Sequence, residues 1–269
     1  MPQTAAMPFF HREGPHLHAT DAARGPWSAD ALHGRVIIGL LGAEIERLHG
    51  GGGFHPVRLT VDMYRAPPMT ALEVVTRTLR DGKRIKVVEA DLMAEGRSCG
   101  HAVCQFLLRG EHPEGEVWTD GGAWDAPLPA ALQTEPASPL TMNGMWDIRF
   151  ARGSLQTPGP RRLWMRENRE LVGGEALTPF GRVVAGVDYV SPMMLMGTHG
   201  LKYINTDVTL YLHRLPRGEW IGYSGRAQEA SDGIAIGECT IHDEEGRIGW
   251  ATVCGLAQPH IQPLGTPPR

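Results

Sequence analysis

Two stretches of sequence resemble each other and decide the fold: LHGRVIIGLLGA at 32–43 and TPFGRVVAGVDY at 178–189. Both share a Gly-Arg-Val core, and their continuous apolar character is typical of a helix buried on nearly every side. The second stretch carries a carboxylate, Asp188, where the first has Leu41. A charge that only one of two similar helices carries is a candidate for chemistry.

The two stretches belong to an internal repeat of about 150 residues. Further matches follow in the same order, with nearly constant offsets: Arg65 with Arg214, Asp81 with Asp232, Glu95 with Glu245, and Val103-Cys104 with Val253-Cys254. In each copy one apolar helix precedes long alternating strands that are separated by Asp-Gly and Glu-Gly turns. We expect Asp30 to be the N-cap of the first helix. The pattern predicts an α+β fold.

The repeat also predicts how the chain is divided. Residues 1–112 hold the first copy and residues 140–269 the second, while 113–139 are rich in Pro, Gly and Ala and indicate a surface linker. Each copy predicts an antiparallel sheet wrapped around a central helix. Joined edge to edge, the two sheets would form one continuous sheet.

Composition excludes several classes of function. The net charge of −4 gives no reason to expect nucleic acid as a partner. The chain has no apolar run long enough for a membrane span and does not begin like a signal peptide, so we expect a cytoplasmic protein without a membrane partner. Four cysteines without a CxxC pair and twelve histidines without an HExxH motif predict neither a metal nor another cofactor.

These features resemble the hotdog fold, and the duplicated chain resembles the double-hotdog acyl-CoA thioesterases of the bacterial thioesterase II type. The segments that carry the resemblance are 16–34, with its Gly-Pro-Trp and His-Gly, and 58–67, 80–85, 164–192 and 205–228. The resemblance implies an N-terminal hotdog at 1–112 and a C-terminal hotdog at 140–269. It also implies hydrolysis of an acyl-CoA to free fatty acid and CoA, without metal or covalent intermediate, by a protein that we expect to be a homo-oligomer.

In that family a helix Asp, a Thr or Ser on the following strand and a Gln on the last strand hold and activate water. The Asp position corresponds to Asp188, and the hydroxyl position to Asn205, with Thr206 adjacent. The Gln position corresponds to Cys254, or to Val253 if the alignment shifts by one. Because a thiol cannot replace an amide that both donates and accepts, an acyl-CoA or lipid binder without hydrolysis stays open as an alternative.

The first amides of a helix have no partner within the helix, so they are natural donors to the oxyanion of a thioester transition state. We therefore expect His33 and Gly34 at the first helix, and Gly181 at the second, to contact substrate. Cys254 is the fourth predicted contact. Arg65, Lys83, Arg84, Arg214 and Arg217 are candidates for the CoA phosphates.

Structural roles compete with each of these assignments. Asp188 would pair with Arg182 or Arg226, His33 would cap a helix, and Cys254 would be a core residue equivalent to Cys104. Asp207 is a second candidate acid because alternation places it on the face of Asn205. Hotdog hydratases need a His and an acid facing each other, and we expect no such pair here.

Overall fold

The computed structural model describes residues 6–25, 28, 30–119, 124–137 and 144–258. The first repeat has one helix and six strands: β1 (Phe10–Glu13), β2 (His16–Ala19), α1 (Gly34–His49), β3 (Phe54–Met63), β4 (Ala71–Asp81), β5 (Ile85–Ala94) and β6 (Arg97–Leu108).

The second repeat begins with β7 (Trp146–Arg152) and β8 (Arg162–Glu167), followed by α2 (Pro179–Gly186) and α3 (Val190–Leu195). Its remaining strands are β9 (Met196–Gly197), β10 (Gly200–Leu201), β11 (Tyr203–Asn205), β12 (Asp207–Leu212), β13 (Ile221–Ser231), β14 (Ile234–Asp243) and β15 (Gly246–Ala257).

Thirteen strands of the described residues form one sheet, in the order β1-β2-β4-β5-β6-β3-β12-β15-β14-β13-β8-β7, with β11 also paired to β15. Every pairing between these strands is antiparallel. The two repeats join through β3 and β12. The predicted α+β architecture of one continuous sheet around central helices is confirmed.

The register of the central pair corrects the repeat alignment at the last strand. Thr60 of β3 lies opposite Thr209 of β12, an offset of 149. Thr60 pairs on its other side with Val103, and Thr209 pairs with Thr252. The structural counterpart of Val103 is therefore Thr252, so the predicted match of Cys104 with Cys254 is wrong by one residue.

The helices α1 and α2 pack closely on each other inside the sheet. A Cβ at Gly42 would come 2.9 Å from Val184 Cγ1, so only glycine allows this approach of the two helices. Residues 36–41 of α1 are all buried, as its apolar sequence predicts.

The two central helices differ in shape. The helix α1 is continuous over 16 residues, whereas α2 gives way to a 3₁₀ turn, Val187–Tyr189, before α3. Thr178 caps α2, its side chain accepting from the Gly181 N–H. The expectation that Asp30 caps α1 is wrong: His33 is the N-cap, because its side chain accepts from the Arg35 N–H.

The N-terminal segment is bound to the second repeat. The Phe9 N–H donates to the Glu170 carbonyl at 3.1 Å, and the Phe10 N–H donates to the Leu171 carbonyl at 3.0 Å. These bonds link the outer strand of the first repeat to the segment that leads into α2.

Part of the predicted linker 113–139 lies against the second repeat. Trp124 packs on Trp164 with ring centroids 4.4 Å apart, and the Trp164 Nε1–H donates to the Pro127 carbonyl. The predicted boundary at 139–140 lies outside the described residues.

Candidate active site

Asp188 lies where the second repeat meets the start of α1. Its 3₁₀ turn packs against α1, and the residue is only 6% exposed. A Cβ added to Gly34 would stand 3.3 Å from Asp188 Oδ1. Glycine at the first position of α1 therefore gives the carboxylate room to lie directly against the helix start.

Asn205 holds the carboxylate from the other side. Its Nδ2 donates to Asp188 Oδ1 at 2.8 Å. Asn205 ends β11, and its pairing with Gly255 of β15 sets its position. The structure thus brings together the two residues that sequence assigned to water activation.

Burial raises the pKa of Asp188 above that of an ordinary aspartate. The bond from Asn205, the positive charge of Arg35 and the Arg35 backbone N–H act in the opposite direction. A carboxylate that has lost most of its hydration is a stronger base than a surface aspartate.

His33 lies beside the carboxylate. Its Nδ1 is 3.5 Å from Asp188 Oδ2 and accepts the Arg35 N–H at 3.0 Å. Because Nδ1 is an acceptor, the ring proton of the neutral imidazole is on Nε2. Burial and the Arg35 charge lower the pKa of His33 to about 3, so the ring is neutral at physiological pH.

The His33 Nε2 is a buried donor with no hydrogen-bond partner among the described residues. Buried polar atoms of this kind normally bind a water or a ligand. The expectation that no histidine faces an acid is wrong, because the two residues are 155 positions apart and only the packing of the repeats joins them.

Thr206 forms the break between β11 and β12, and Asp207 is the first residue of β12. The Thr206 side chain is exposed, while its backbone bridges the repeats: its N–H donates to the Cys254 carbonyl at 3.0 Å and its carbonyl accepts from the Met63 N–H at 2.8 Å. The Asp207 Oδ1 accepts the Cys254 N–H at 2.6 Å. The break interrupts the alternation that was expected to place Asp207 on the face of Asn205.

Cys254 is not brought to the carboxylate. Around Cys254 the buried positions of β15 alternate as Ala251, Val253 and Gly255, so Cys254 projects from the opposite face of the strand. It is half-buried, whereas Cys104 is fully buried, which corrects the prediction that the two are equivalent core residues. Desolvation and the nearby Asp207 raise the pKa of the Cys254 thiol.

Gly181 lies at the far end of α2 from Asp188. Its N–H donates to Thr178 Oγ1 at 2.8 Å, and the Thr178 hydroxyl in turn contacts the Glu46 carboxylate. These residues line a separate cavity of about 260 Å³ between the start of α2 and the end of α1.

The arginines that the sequence suggested as partners of Asp188 have other partners. Arg182 donates to Glu219 and Arg226 lies 3.6 Å from Glu238, so neither is the expected partner of Asp188. Arg35 supplies the nearby positive charge instead. In the sequence Arg35 stands out only as part of the repeated Gly-Arg-Val core, and that shared core is the signal that could have identified it.

The candidate CoA cations are dispersed. Arg214 donates to Asp243 Oδ1 at 2.7 Å, and Arg217 contacts Glu245, so acidic partners engage both. Lys83 and Arg84 lie in the turn between β4 and β5. Met63 lies at the site, because its Sδ is 3.6 Å from the place where a Cβ of Gly34 would be. Arg65 follows Met63 by two residues and is therefore, along the chain, the candidate nearest to the site.

Among the described residues, no group of three or more His, Cys, Asp or Glu side chains is arranged to hold a metal ion. No described helix has both the length and the apolar character needed to span a membrane.

Comparison with known proteins identifies the family. Residues 23–107 match the model of the acyl-CoA thioesterase N-terminal domain, and residues 121–250 match that of the C-terminal domain. A search of curated protein sequences returned no significant match.

Solved structures show the same fold at low identity. A hot dog fold protein of Alicyclobacillus acidocaldarius is 16% identical with a TM-score of 0.74, covering 92% of this chain and 95% of its own. An acyl-CoA thioesterase II of Mycobacterium marinum is 14% identical with a TM-score of 0.63, covering 93% and 96%. With both domain models matched in order, the chain belongs to the acyl-CoA thioesterase family and has its double-hotdog architecture.

Proposed function

We propose that the protein hydrolyses acyl-CoA thioesters to free fatty acid and CoA, with Asp188 as the general base. The observation that carries the proposal is the desolvated Asp188 carboxylate, held by Asn205 against the start of α1. The family match supports thioester hydrolysis as the type of reaction.

Asp188 acts on water in the first step. A water molecule bound beside the Asp188 carboxylate and the Asn205 amide would give a proton to the carboxylate. The oxygen of this water would at the same time attack the carbonyl carbon of the thioester. Burial makes the carboxylate a better proton acceptor, and the Asn205 bond fixes its orientation.

The start of α1 stabilises the tetrahedral oxyanion. The first amides of the 16-residue helix, with Gly34 among them, have no acceptor within the helix. The His33 Nε2–H adds a neutral donor that lacks a partner among the described residues. When the tetrahedral species collapses, the C–S bond breaks and the CoA thiolate takes the proton from Asp188.

A binder that does not hydrolyse its ligand is the second candidate. Cys254 and Val253, the two residues to which the resemblance can assign the family's Gln, have no amide side chain, and Cys254 projects from the opposite strand face. Such a protein would bind acyl-CoA tightly and release no thiol. The third candidate is hydration of an enoyl-CoA, and the observation that supports it is that His33 faces Asp188.

Thiol release from a panel of acyl-CoA chain lengths separates these outcomes. The parent protein should release CoA, and Asp188→Asn should lower kcat by at least about 10²-fold with its fold intact. Asp207→Asn is the matched control, since the Asp207 carboxylate accepts a hydrogen bond from the Cys254 backbone N–H. Equal turnover in the parent and Asp188→Asn would exclude this base, and loss of enoyl absorbance without thiol release would indicate a hydratase.

A further inference from the structure

Arg35 is a buried cation whose side chain is fixed on several sides. The residue is 1% exposed. Its Nε donates to the Ala185 carbonyl at 3.2 Å, and its Nη2 pairs with the buried carboxylate of Glu167. The guanidinium lies over the rings of Phe9 at 4.5 Å and Trp146 at 3.8 Å. A buried charge needs such partners, because leaving it without them costs several kcal/mol.

These contacts join the first repeat to the segment that carries Asp188. Ala185 is three residues before Asp188, where α2 gives way to the 3₁₀ turn. The Arg35 backbone N–H donates to the Nδ1 of His33, which is 3.5 Å from Asp188 Oδ2. Arg35 of α1 therefore contacts the end of α2 directly and the surroundings of the acid through His33.

The guanidinium of Arg35 is not fully hydrogen-bonded. Its Nη1 has no hydrogen-bond partner among the described residues. Burial lowers the pKa of Arg35 to about 9, which leaves it a cation at neutral pH, and the negative charge of Asp188 opposes that shift.

The equivalent arginine of the second repeat differs in its surroundings. Arg182 occupies the same place in the Gly-Arg-Val core, but its side chain is 23% exposed and pairs with Glu219 near the surface. An arginine at this helix position can therefore reach solvent. Only the copy whose helix start faces an acid has the arginine buried.

We propose that Arg35 is a positioning residue for Asp188: anchored by Glu167 and the Ala185 carbonyl, it holds the end of α2 against the start of α1, with its positive charge buried beside the segment that carries the carboxylate. The proposal rests on the proposed function, because it assigns Arg35 a role toward the general base.

The groups around Asp188 allow this charge to be tested by itself. His33 is neutral above about pH 3, and Asn205 carries no charge. Tyr223 is a fully buried phenol whose pKa burial raises well above its usual value, so it is neutral as well. Glu167 pairs with Arg35, so its effect on Asp188 should be opposite in sign to that of Arg35.

The test compares pH profiles of kcat/KM for the parent, Arg35→Met, Arg35→Lys and Glu167→Gln. Arg35→Met removes a cation, so the acid limb should move up by about one pH unit. Arg35→Lys keeps the charge and should restore most of the parent limb. Glu167→Gln removes the negative charge that pairs with Arg35, so the acid limb should move to lower pH. A purely structural role predicts lower activity with no opposite shifts, and that result would overturn the proposal.

Two additions keep the result interpretable. If Arg35→Met alone does not fold, the double variant Arg35→Met with Glu167→Gln removes both charges, and its limb should still lie above that of Glu167→Gln.

Carboxyl NMR of protein with labelled aspartate, assigned through Asp188→Asn, follows the ionisation of Asp188 without turnover. The same opposite shifts without hydrolysis would support the role of Arg35 while rejecting the proposed function.

Discussion

His33 of the first repeat lies against Asp188 of the second, with the His33 Nδ1 and Asp188 Oδ2 acceptors 3.5 Å apart. At the start of α1 the same Nδ1 accepts the backbone N–H of Arg35 at 3.0 Å. This bond fixes the tautomer of the histidine beside the carboxylate. A histidine that caps a helix is therefore also a donor at the candidate site.

The pH dependence of hydrolysis should reflect the buried carboxylate. Because burial raises the pKa of Asp188, its base form is lost at a higher pH than that of a surface aspartate. The acid limb of kcat/KM should therefore lie at higher pH than the range in which surface aspartates titrate. Titration of His33 should not contribute, since its pKa is lowered to about 3. A limb near pH 6.5 that His33→Asn removes would contradict this.

His33→Asn should separate capping from chemistry. Asn is a good N-cap, so the substitution should preserve the stability of α1, whereas alanine would cost about 1 kcal/mol. The variant loses the Nε2–H, so kcat should fall by roughly 10²-fold. Thr178→Ala, which removes the cap of α2, is the converse control: melting should change and kcat should not.

Gly34→Ala should reduce activity without destabilising the helix. Alanine is favoured over glycine within a helix by about 1 kcal/mol, but its Cβ would stand 3.3 Å from Asp188 Oδ1 and displace the carboxylate. Thermal melting and thiol release measure the two effects. Gly181→Ala is the matched substitution in α2, where the Cβ would meet Thr178 instead, so equal losses of activity would reject a special role for Gly34.

Cys254→Gln should not increase hydrolysis. The side chain at 254 projects from the strand face opposite the buried Val253 and Gly255, so an added amide would not reach Asp188. The expected kcat/KM is that of the parent, measured on the best acyl-CoA. A clear gain would show that the last strand can present residue 254 to the site and would restore the family alignment at this position.

Sequence was sufficient for the architecture, because the repeat, the apolar helices and the alternating strands each depend on local pattern. The resemblance also selected Asp188 and Asn205, which lie within hydrogen-bond distance of each other. The burial of Arg35 could not be predicted, since Arg182 has the same local sequence and pairs near the surface. The face of Cys254 was missed because the strand break at Thr206 and an offset of 149 depend on pairing between repeats.

The bonds of Phe9 and Phe10 to Glu170 and Leu171 have a consequence for synthesis of the chain. A ribosome makes proteins from the N-terminus, and domains that fold independently can do so as they emerge. Here β1 pairs with β2 at once, but its bonds to the second repeat form only after some 160 further residues have been added. The first repeat therefore cannot complete its contacts until the second has been made. Truncated chains should be substrates for chaperones and should not fold as independent halves.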